Sequence, residues 1–291
     1  MRLSARLLRR KSPMNEIHYK IPWRARSSYP GHHSSQQKGG GLQFRHHVPL
    51  LNAPDPRRFD VRASLRDPFE QVYVRVYQQT SSIPVYVIAD LSASMRYEGN
   101  HSKQDVVADF VAAVSYAAYR TGDRFGFVGC GDTSTLPLVL PSTLNRAAGS
   151  GMAETLRETS FTATDSTGLV NAAALLGAKR ALVFLISDFH FPEKLLIDTF
   201  ATLAYHDVVP VVLWDTQEYK NLPNYGIARV RDQETGRSRT LLMRPKIKQE
   251  VAAIFEQRER ALFATFTQFG RPPLFLNDGL EPDEVTRYFY Q

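Results

Sequence analysis

The stretch IPVYVIAD, residues 83–90, is almost wholly apolar, is rich in β-branched side chains and ends in Asp90. Two later stretches have the same character: ALVFLISD at 181–188 and VVPVVLWD at 208–215. A strand with one solvated face alternates between apolar and polar residues, whereas a strand covered on both faces forms a continuous apolar run. The three stretches therefore predict the central strands of a parallel sheet.

The segments between these strands have helical periodicity. In SKQDVVADFVAAVSYAAYRTGD (102–123), Ser102 and Asp105 predict a capping box and Gly122 predicts the end of the helix. Alternating strands and helices predict a doubly wound, mostly parallel α/β sheet with helices on both faces. The other predicted elements are strands at 72–77, 124–130, 136–140 and 274–276, helices at 143–158, 168–176, 192–207, 246–269 and 281–290, and a β-hairpin over 226–243.

The composition is that of an ordinary globular protein, with 43% hydrophobic and 22% charged residues among 291. The single cysteine, Cys130, excludes an intrachain disulfide, and no apolar run has the length that a bilayer-spanning helix needs. The opening MRLSARLLRRKSP lacks the apolar core of a secretory signal, so we expect a cytoplasmic protein. Met14 opens a more ordinary sequence, which suggests the hypothesis that residues 1–13 are an over-called start.

The basic excess lies in the first quarter of the chain. Residues 1–75 hold 15 lysines and arginines against 5 acidic residues, whereas residues 76–291 hold 21 against 24. The stretch SSYPGHHSSQQKGGG (27–41) predicts a loop. We favour a solvated arm over a nucleic-acid-binding arm, because no stacking motif or reading helix accompanies the charge. The predicted organisation is a basic tail at 1–26, a β/loop segment at 27–80 and an α/β domain at 81–291.

Oxygen-bearing side chains follow two of the apolar strands. Asp90, Ser92 and Ser94 follow the first, Asp188 ends the second, and Thr167 lies just before a predicted helix. In open α/β sheets, ligands bind beyond the carboxyl ends of the strands. Hard oxygen ligands suit Mg²⁺, Ca²⁺ or Mn²⁺, with Mg²⁺ preferred here. We therefore predict a divalent-cation site with one coordination position left for a carboxylate of a partner.

These five residues resemble the metal-ion-dependent adhesion site of the von Willebrand factor A family. The shared features are the D-x-S-x-S motif, a threonine at the start of a helix and an aspartate at the end of a later strand. The resemblance implies that Ser92, Ser94 and Thr167 contact the metal, while Asp90 and Asp188 act directly or through water. It also implies a von Willebrand factor A-like fold.

A longer resemblance covers about residues 27–290. The stretches YPGHHSSQQKGGGLQF (29–44), DPRRFDVRASLR (55–66) and DLSASM (90–95) are similar to von Willebrand-type proteins that accompany MoxR-type AAA+ ATPases. The similarity is greatest to members from methanol dehydrogenase gene clusters. It implies a MoxR-type ATPase as partner, methanol dehydrogenase or another assembly protein as client, and a role in maturation such as calcium loading.

An enzyme is the alternative class of function. A strand-end aspartate with Mg²⁺ also fits a phosphatase of the haloacid dehalogenase type, but the general acid needed two residues on is replaced by Ser92. Cys130 ends an apolar strand and is interpreted as a core residue, and His190 as a packed or loop histidine. We therefore expect a non-enzymatic docking or assembly factor, and keep a Mg²⁺-dependent phosphatase and a nucleic-acid-binding protein as alternatives.

Overall fold

The computed structural model describes residues 16–25, 31–134, 136–219, 223, 225–231, 238–277 and 279–291. The strands are β1 (His33–Pro49), β2 (Tyr73–Ser81), β3 (Pro84–Asp90), β4 (Arg124–Cys130), β5 (Leu138–Thr143), β6 (Leu182–Ser187), β7 (Asp207–Leu213), β8 (Gly226–Arg231), β9 (Ser238–Met243) and β10 (Leu274–Leu276). The helices are α1 (Val61–Leu65), α2 (Lys103–Arg120), α3 (Ala148–Glu158), α4 (Leu169–Ala174), α5 (Glu193–Thr202), α6 (Thr216–Tyr219), α7 (Pro245–Gln268) and α8 (Pro282–Tyr290).

Six strands form the main sheet, in the order β10-β7-β6-β3-β4-β5. Every neighbouring pair is parallel except β4 and β5, so the antiparallel strand lies at an edge. The proline of VLPST is tolerated there because an edge strand needs only one complete set of hydrogen bonds. The predicted mostly parallel α/β sheet is confirmed, and the strands predicted from the continuous apolar runs lie at its centre.

The sheet divides the core into two layers. On β3, Val85 and Val87 pack into one hydrophobic cluster, while Ile88 packs into the other. The first cluster is covered by α2, α3 and α8, and the second by α4, α5 and α7. Successive residues of a strand point to opposite faces, so a strand between two helical layers must be apolar at nearly every position. The predicted helices on both faces are therefore confirmed.

Helix α2 begins as the sequence indicates. The Ser102 hydroxyl accepts a hydrogen bond from the backbone N–H of Asp105 at 3.2 Å, which satisfies one of the free donors of the first turn. This cap fixes where the helix starts. It therefore also fixes the position of Lys103, the first helical residue, beside the carboxyl ends of the central strands.

The interpretation of 27–41 as a loop is wrong in its described part. Residues from His33 onward belong to β1, which pairs antiparallel with β2 in a separate two-stranded sheet. The register of this pair shifts in three places, two of them within Ser34–Gln43. The polar, glycine-rich sequence lacks the apolar alternation that marks a strand, and its strand conformation comes from pairing with β2.

Residues 16–25 pack against the α/β domain. Ile17, Tyr19 and Ala25 are buried in the cluster that contains β3 and α2. The Tyr19 hydroxyl donates to Asp123, and the indole N–H of Trp23 donates to Asp207. The N-terminal segment thus contributes side chains to the core of the domain that follows it.

The C-terminal hairpin and helix match their predicted positions. Strands β8 and β9 pair antiparallel within 226–243, and residues 232–237, which include the turn of the predicted hairpin, lie outside the described residues. In α7, Ile254 is 64% exposed, whereas Leu262 and Phe266 are buried against the sheet. Among the helices that the structure describes, none combines the length and apolar character needed to cross a membrane.

Candidate metal centre

Asp90 lies at the carboxyl end of β3 and is fully buried. One carboxylate oxygen accepts a hydrogen bond from the backbone N–H of Ser92 at 2.9 Å. The other oxygen accepts from the hydroxyls of Ser166 at 2.7 Å and Ser187 at 2.8 Å. Burial and the negative charge of Asp188 raise the pKa of the Asp90 carboxyl to about 6. Three donors therefore orient a carboxylate whose charge is not fully compensated.

The two serines and Asp188 lie beside it. The Ser92 and Ser94 hydroxyl oxygens are 3.1 Å apart, and the Ser94 hydroxyl is close enough to the Asp188 carboxylate to help lower its pKa. Asp188 directly follows β6, the neighbour of β3 in the sheet, and is 2% exposed. Four of the five predicted ligands therefore meet at the carboxyl ends of two adjacent parallel strands, where α/β sheets bind their ligands.

A buried lysine balances part of this charge. The Lys103 ammonium lies 3.5 Å from Asp188 and 2.8 Å from Glu218, and its side chain is 4% exposed. Burial alone would raise the pKa of the Asp188 carboxyl, but the charges of Lys103 and His190 and hydrogen bonds to the ionised form lower it. Asp188 is therefore held as a carboxylate, while Asp90 carries the higher pKa.

The loop at 163–168 lies against the D-x-S-x-S turn. Ala163 forms a backbone bridge with Ser92, and its carbonyl accepts from the N–H of Ala93 at 2.9 Å. Thr167 is exposed, and its hydroxyl donates to Asp165 in the same loop. Among the described hydrogen bonds, none joins Thr167 to the other four predicted ligands. Ser166, rather than Thr167, provides the hydroxyl that contacts Asp90.

The loop after Asp188 is held by α7. Phe189 is a buried non-glycine residue with a positive φ of 54°, a conformation that L-residues seldom adopt without support. The Arg258 guanidinium on α7 donates to the carbonyls of Phe189 at 2.7 Å and Phe191 at 3.1 Å. His190 stacks on Trp214, and burial lowers its pKa. The position of Asp188 thus depends on packing from α7.

These residues fit a hard divalent cation. Across the described residues, no three His, Cys, Asp or Glu side chains come together in a way that could hold a metal. A cation at the carboxyl ends of β3 and β6 would therefore bind the hydroxyl oxygens of Ser92 and Ser94 together with the two carboxylates. Such oxygen ligands are the type that Mg²⁺ and Ca²⁺ prefer. A bound cation would also favour the ionised form of Asp90, whose pKa is raised by burial and by the charge of Asp188.

The raised pKa of Asp90 predicts a pH-dependent stability in chelator. Between about pH 4 and about pH 6 the folded state keeps a proton that the unfolded state has lost. The free energy of unfolding of the wild type, relative to Asp90→Asn, should therefore fall by about 3 kcal/mol as the pH rises through this window. Denaturant unfolding of both proteins in EDTA measures it, and a difference independent of pH contradicts the assignment.

Three residues of the site escaped prediction from the sequence. Ser166 and Ser187 are adjacent to predicted ligands, and their role depends on which hydroxyl faces Asp90 in the fold. Lys103 had a recognisable signal, because a cation in the first turn of a helix opposes the helix dipole and calls for a nearby acid. Its partners, Asp188 and Glu218, are distant in sequence.

Fold and site together define the class. A six-stranded, mostly parallel sheet with helices on both faces and an oxygen-rich cluster at the ends of β3 and β6 define a doubly wound α/β domain with a candidate metal centre. The chain belongs to the family described as "Protein of unknown function DUF58", which matches residues 54–261.

Individual relatives are similar over different parts of the chain. An "Uncharacterized protein in moxR 3'region" from Paracoccus denitrificans is 34% identical over 99 residues, which cover 34% of this chain and 94% of that protein. The conserved hypothetical protein BatB from Bacteroides thetaiotaomicron aligns at 14% identity and a TM-score of 0.44, covering 72% of this chain and all of BatB. The SpRpn10 VWA domain aligns at 16% identity and a TM-score of 0.32, covering 46% of this chain and 75% of that domain.

Proposed function

We propose that this protein is a non-enzymatic, cytoplasmic docking factor that uses a bound divalent cation, preferably Mg²⁺, to grip an acidic side chain of a partner. One observation carries this proposal. Two carboxylates and two hydroxyls meet at the carboxyl ends of β3 and β6, namely those of Asp90, Asp188, Ser92 and Ser94. Two carboxylates, one of them already balanced by Lys103, leave the cation with residual positive charge. A carboxylate from outside would complete its ligands.

A MoxR-type AAA+ ATPase is the partner that the family resemblance favours. The relative in Paracoccus denitrificans is described by its place in the moxR 3′ region, which supports a shared task with that ATPase. Within the family, the stretches HYKIPW, PGHHSSQQ, DVRASLRDPF and AYRTGDRFGF resemble MxaS, a protein of methanol dehydrogenase gene clusters. We accordingly propose methanol dehydrogenase as the client, with loading of its calcium as the assisted step.

Catalysis has less support from the geometry. The phosphatase alternative needs a free acid two residues after Asp90, and Ser92 there is buried against Ser94. Burial raises the pKa of the Cys130 thiol, which disfavours the nucleophilic thiolate. His190 is stacked on Trp214, and its lowered pKa reflects burial. These surroundings favour a binding role over a catalytic one.

Nucleic-acid binding by the basic arm also has less support. In the described part of the arm, Arg75 and His47 both contact Asp60, at 2.6 and 2.9 Å, and His33 contacts Asp123 at 2.7 Å. Side chains paired in this way are less available for phosphates. Retention of the full chain on DNA that does not fall as the salt concentration rises would argue against an arm-dependent activity.

Co-purification with the MoxR-type ATPase tests the docking function. We expect the wild type to retain the ATPase in Mg²⁺ and to release it in EDTA, while Asp90→Ala and Ser92→Ala release it in both. Lys246→Gln, which changes an exposed residue of α7, serves as the control and should behave as the wild type. Equal retention by all four proteins, with or without EDTA, would refute the metal-dependent grip.

The threonine ligand can be assigned by comparing two variants. Thr167 is the ligand that the resemblance implies, but its hydroxyl is bonded to Asp165. Thr164 directly follows Ala163, the residue that bridges to Ser92. We therefore expect Thr164→Ala to lower the Mg²⁺ affinity about tenfold and Thr167→Ala to change it less, as measured by titration calorimetry. The reverse order would restore Thr167 as the ligand.

A further inference from the structure

A cavity of about 820 Å³ lies at the end of the sheet opposite the candidate metal centre. Its wall includes Ile83 and Pro84 at the start of β3, Arg124 at the start of β4, and the connection 177–180 that leads to β6. The length of β3, about 20 Å, separates it from Asp90. Its volume falls within the range of small-molecule sites.

The charge of this cavity is positive. Its described lining residues include no acid. They include four cations, which are Arg24, Arg124, Lys179 and Arg180. Residues 76–291, which supply three of the four, are acidic overall, so composition does not explain the cluster. Cations gathered in a concave site raise the local concentration of anions.

The acids nearest to this end of the sheet are already engaged. Asp207 accepts both hydrogen bonds of the Arg271 guanidinium, at 2.6 and 2.8 Å, and Asp123 accepts from Tyr19, Thr121 and the N–H of Ile83. Among the described residues, the exposed cations Arg24, Lys179 and Arg180 form no ion pair with an acid, and the Arg180 guanidinium lies 5.1 Å from the centroid of the Trp23 ring, an aromatic contact that leaves its charge unneutralised. Their charge is therefore available to a ligand.

The walls offer flat apolar surfaces and a polar group. Trp23, Tyr86 and Tyr205 line the cavity, and Tyr205 is 60% exposed. The Ser142 hydroxyl, also in the wall, is a buried polar atom without a hydrogen-bond partner among the described residues. Buried hydroxyls are normally bonded, so this one indicates a place for an acceptor or donor from a ligand.

We propose that this cavity binds a nucleoside phosphate, with its phosphates between Arg24, Lys179 and Arg180 and its base against the aromatic wall. Three exposed cations match the charge of a diphosphate or triphosphate, and guanidinium groups bind phosphate oxygens in pairs. Aromatic rings stack on all nucleobases, because every base has a flat π-face. An acidic peptide would use the cations but would leave the aromatic wall without a matching flat group.

Calorimetric titration of the full chain with ADP in EDTA tests this site apart from the metal centre. We expect one ADP per chain, competition by pyrophosphate and no measurable binding of adenosine. Lys179→Gln/Arg180→Gln should weaken ADP binding about tenfold or more, because each lost charge-assisted contact contributes. Lys246→Gln, which removes an exposed cation of α7, should bind ADP as the wild type does.

Three results would overturn the proposal. They are no binding of ADP to the wild type, equal weakening by Lys246→Gln, and binding of a glutamate-rich peptide but not of ADP. Circular dichroism should show that the double variant remains folded, as expected for two exposed side chains. A failed metal-dependent pull-down with intact ADP binding would refute the docking function and leave this site standing.

Discussion

Lys103→Met is expected to lower the free energy of unfolding in chelator by about 3–5 kcal/mol. The Lys103 ammonium is buried and lies 3.5 Å from Asp188 and 2.8 Å from Glu218. Methionine preserves most of the side-chain volume but leaves these acids without their cation. Removing one partner of a buried ion pair is costly because the remaining charge is neither solvated nor paired. Denaturant unfolding in EDTA measures the loss.

The same variant should respond more strongly to Mg²⁺ than the wild type. A divalent cation beside Asp188 replaces the lost positive charge, so its binding is expected to recover part of the stability. The rise in melting temperature on adding Mg²⁺ should therefore be larger for Lys103→Met. Lys103→Arg, which keeps the charge, provides a second variant if the first does not fold.

Lys246→Met is the matched control for this experiment. Lys246 is 87% exposed and only loosely paired with Glu250, so its loss should cost less than about 0.5 kcal/mol. A loss in Lys103→Met as small as that in the control would contradict the charge balance inferred for the site. An equal response of wild type and Lys103→Met to Mg²⁺ would place the cation away from Asp188.

Gly131→Ala is expected to disturb both stability and metal binding. A Cβ at Gly131 would lie 2.0 Å from the Cβ of Ala163, which real atoms cannot tolerate. Ala163 bridges to Ser92, so relief of this overlap moves the 163–168 loop away from the candidate metal centre. We expect a loss of about 1–3 kcal/mol in the free energy of unfolding, the usual cost of overpacking, and weaker Mg²⁺ binding.

A second substitution, at Ala163, should restore what Gly131→Ala loses. Ala163→Gly removes the Cβ that the new methyl group meets, so Gly131→Ala/Ala163→Gly should regain much of the stability and the Mg²⁺ affinity. Gly151→Ala is the control, since a Cβ there meets nothing within 4 Å and α3 should gain slightly. If the double variant is no better than Gly131→Ala, the loop is not positioned by this contact.

The sheet could be predicted because its signal is local. Continuous apolar runs such as 83–90 and 181–188 occur where both faces of a strand are covered, and α2, which follows the first of them, carries its own cap at Ser102. Strand β1 could not be predicted, because its glycine-rich sequence has no apolar alternation and its conformation depends on pairing with β2. Sequence patterns report local burial more directly than they report pairing.

The candidate site also contains residues that could be predicted from the sequence and residues that could not. Asp90, Ser92, Ser94 and Asp188 could be placed together because parallel strands end at one edge of the sheet. The choice among the hydroxyls of 164–167 could not be made, since it depends on how the loop turns against Ser92. Lys103 reaches Asp188 and Glu218 only through the fold, although its unfavourable place at a helix N-terminus hinted at acidic partners.

Titration of the purified wild type and of Ser92→Ala/Ser94→Ala with Mg²⁺ tests the central claim most directly. The two hydroxyl oxygens are 3.1 Å apart beside the buried carboxylates, and their loss removes two oxygen ligands while leaving every charge in place. We predict one Mg²⁺ per wild-type chain and an affinity at least about tenfold lower in the double variant. Equal affinities, or no Mg²⁺ binding by the wild type, would contradict a metal centre at the ends of β3 and β6.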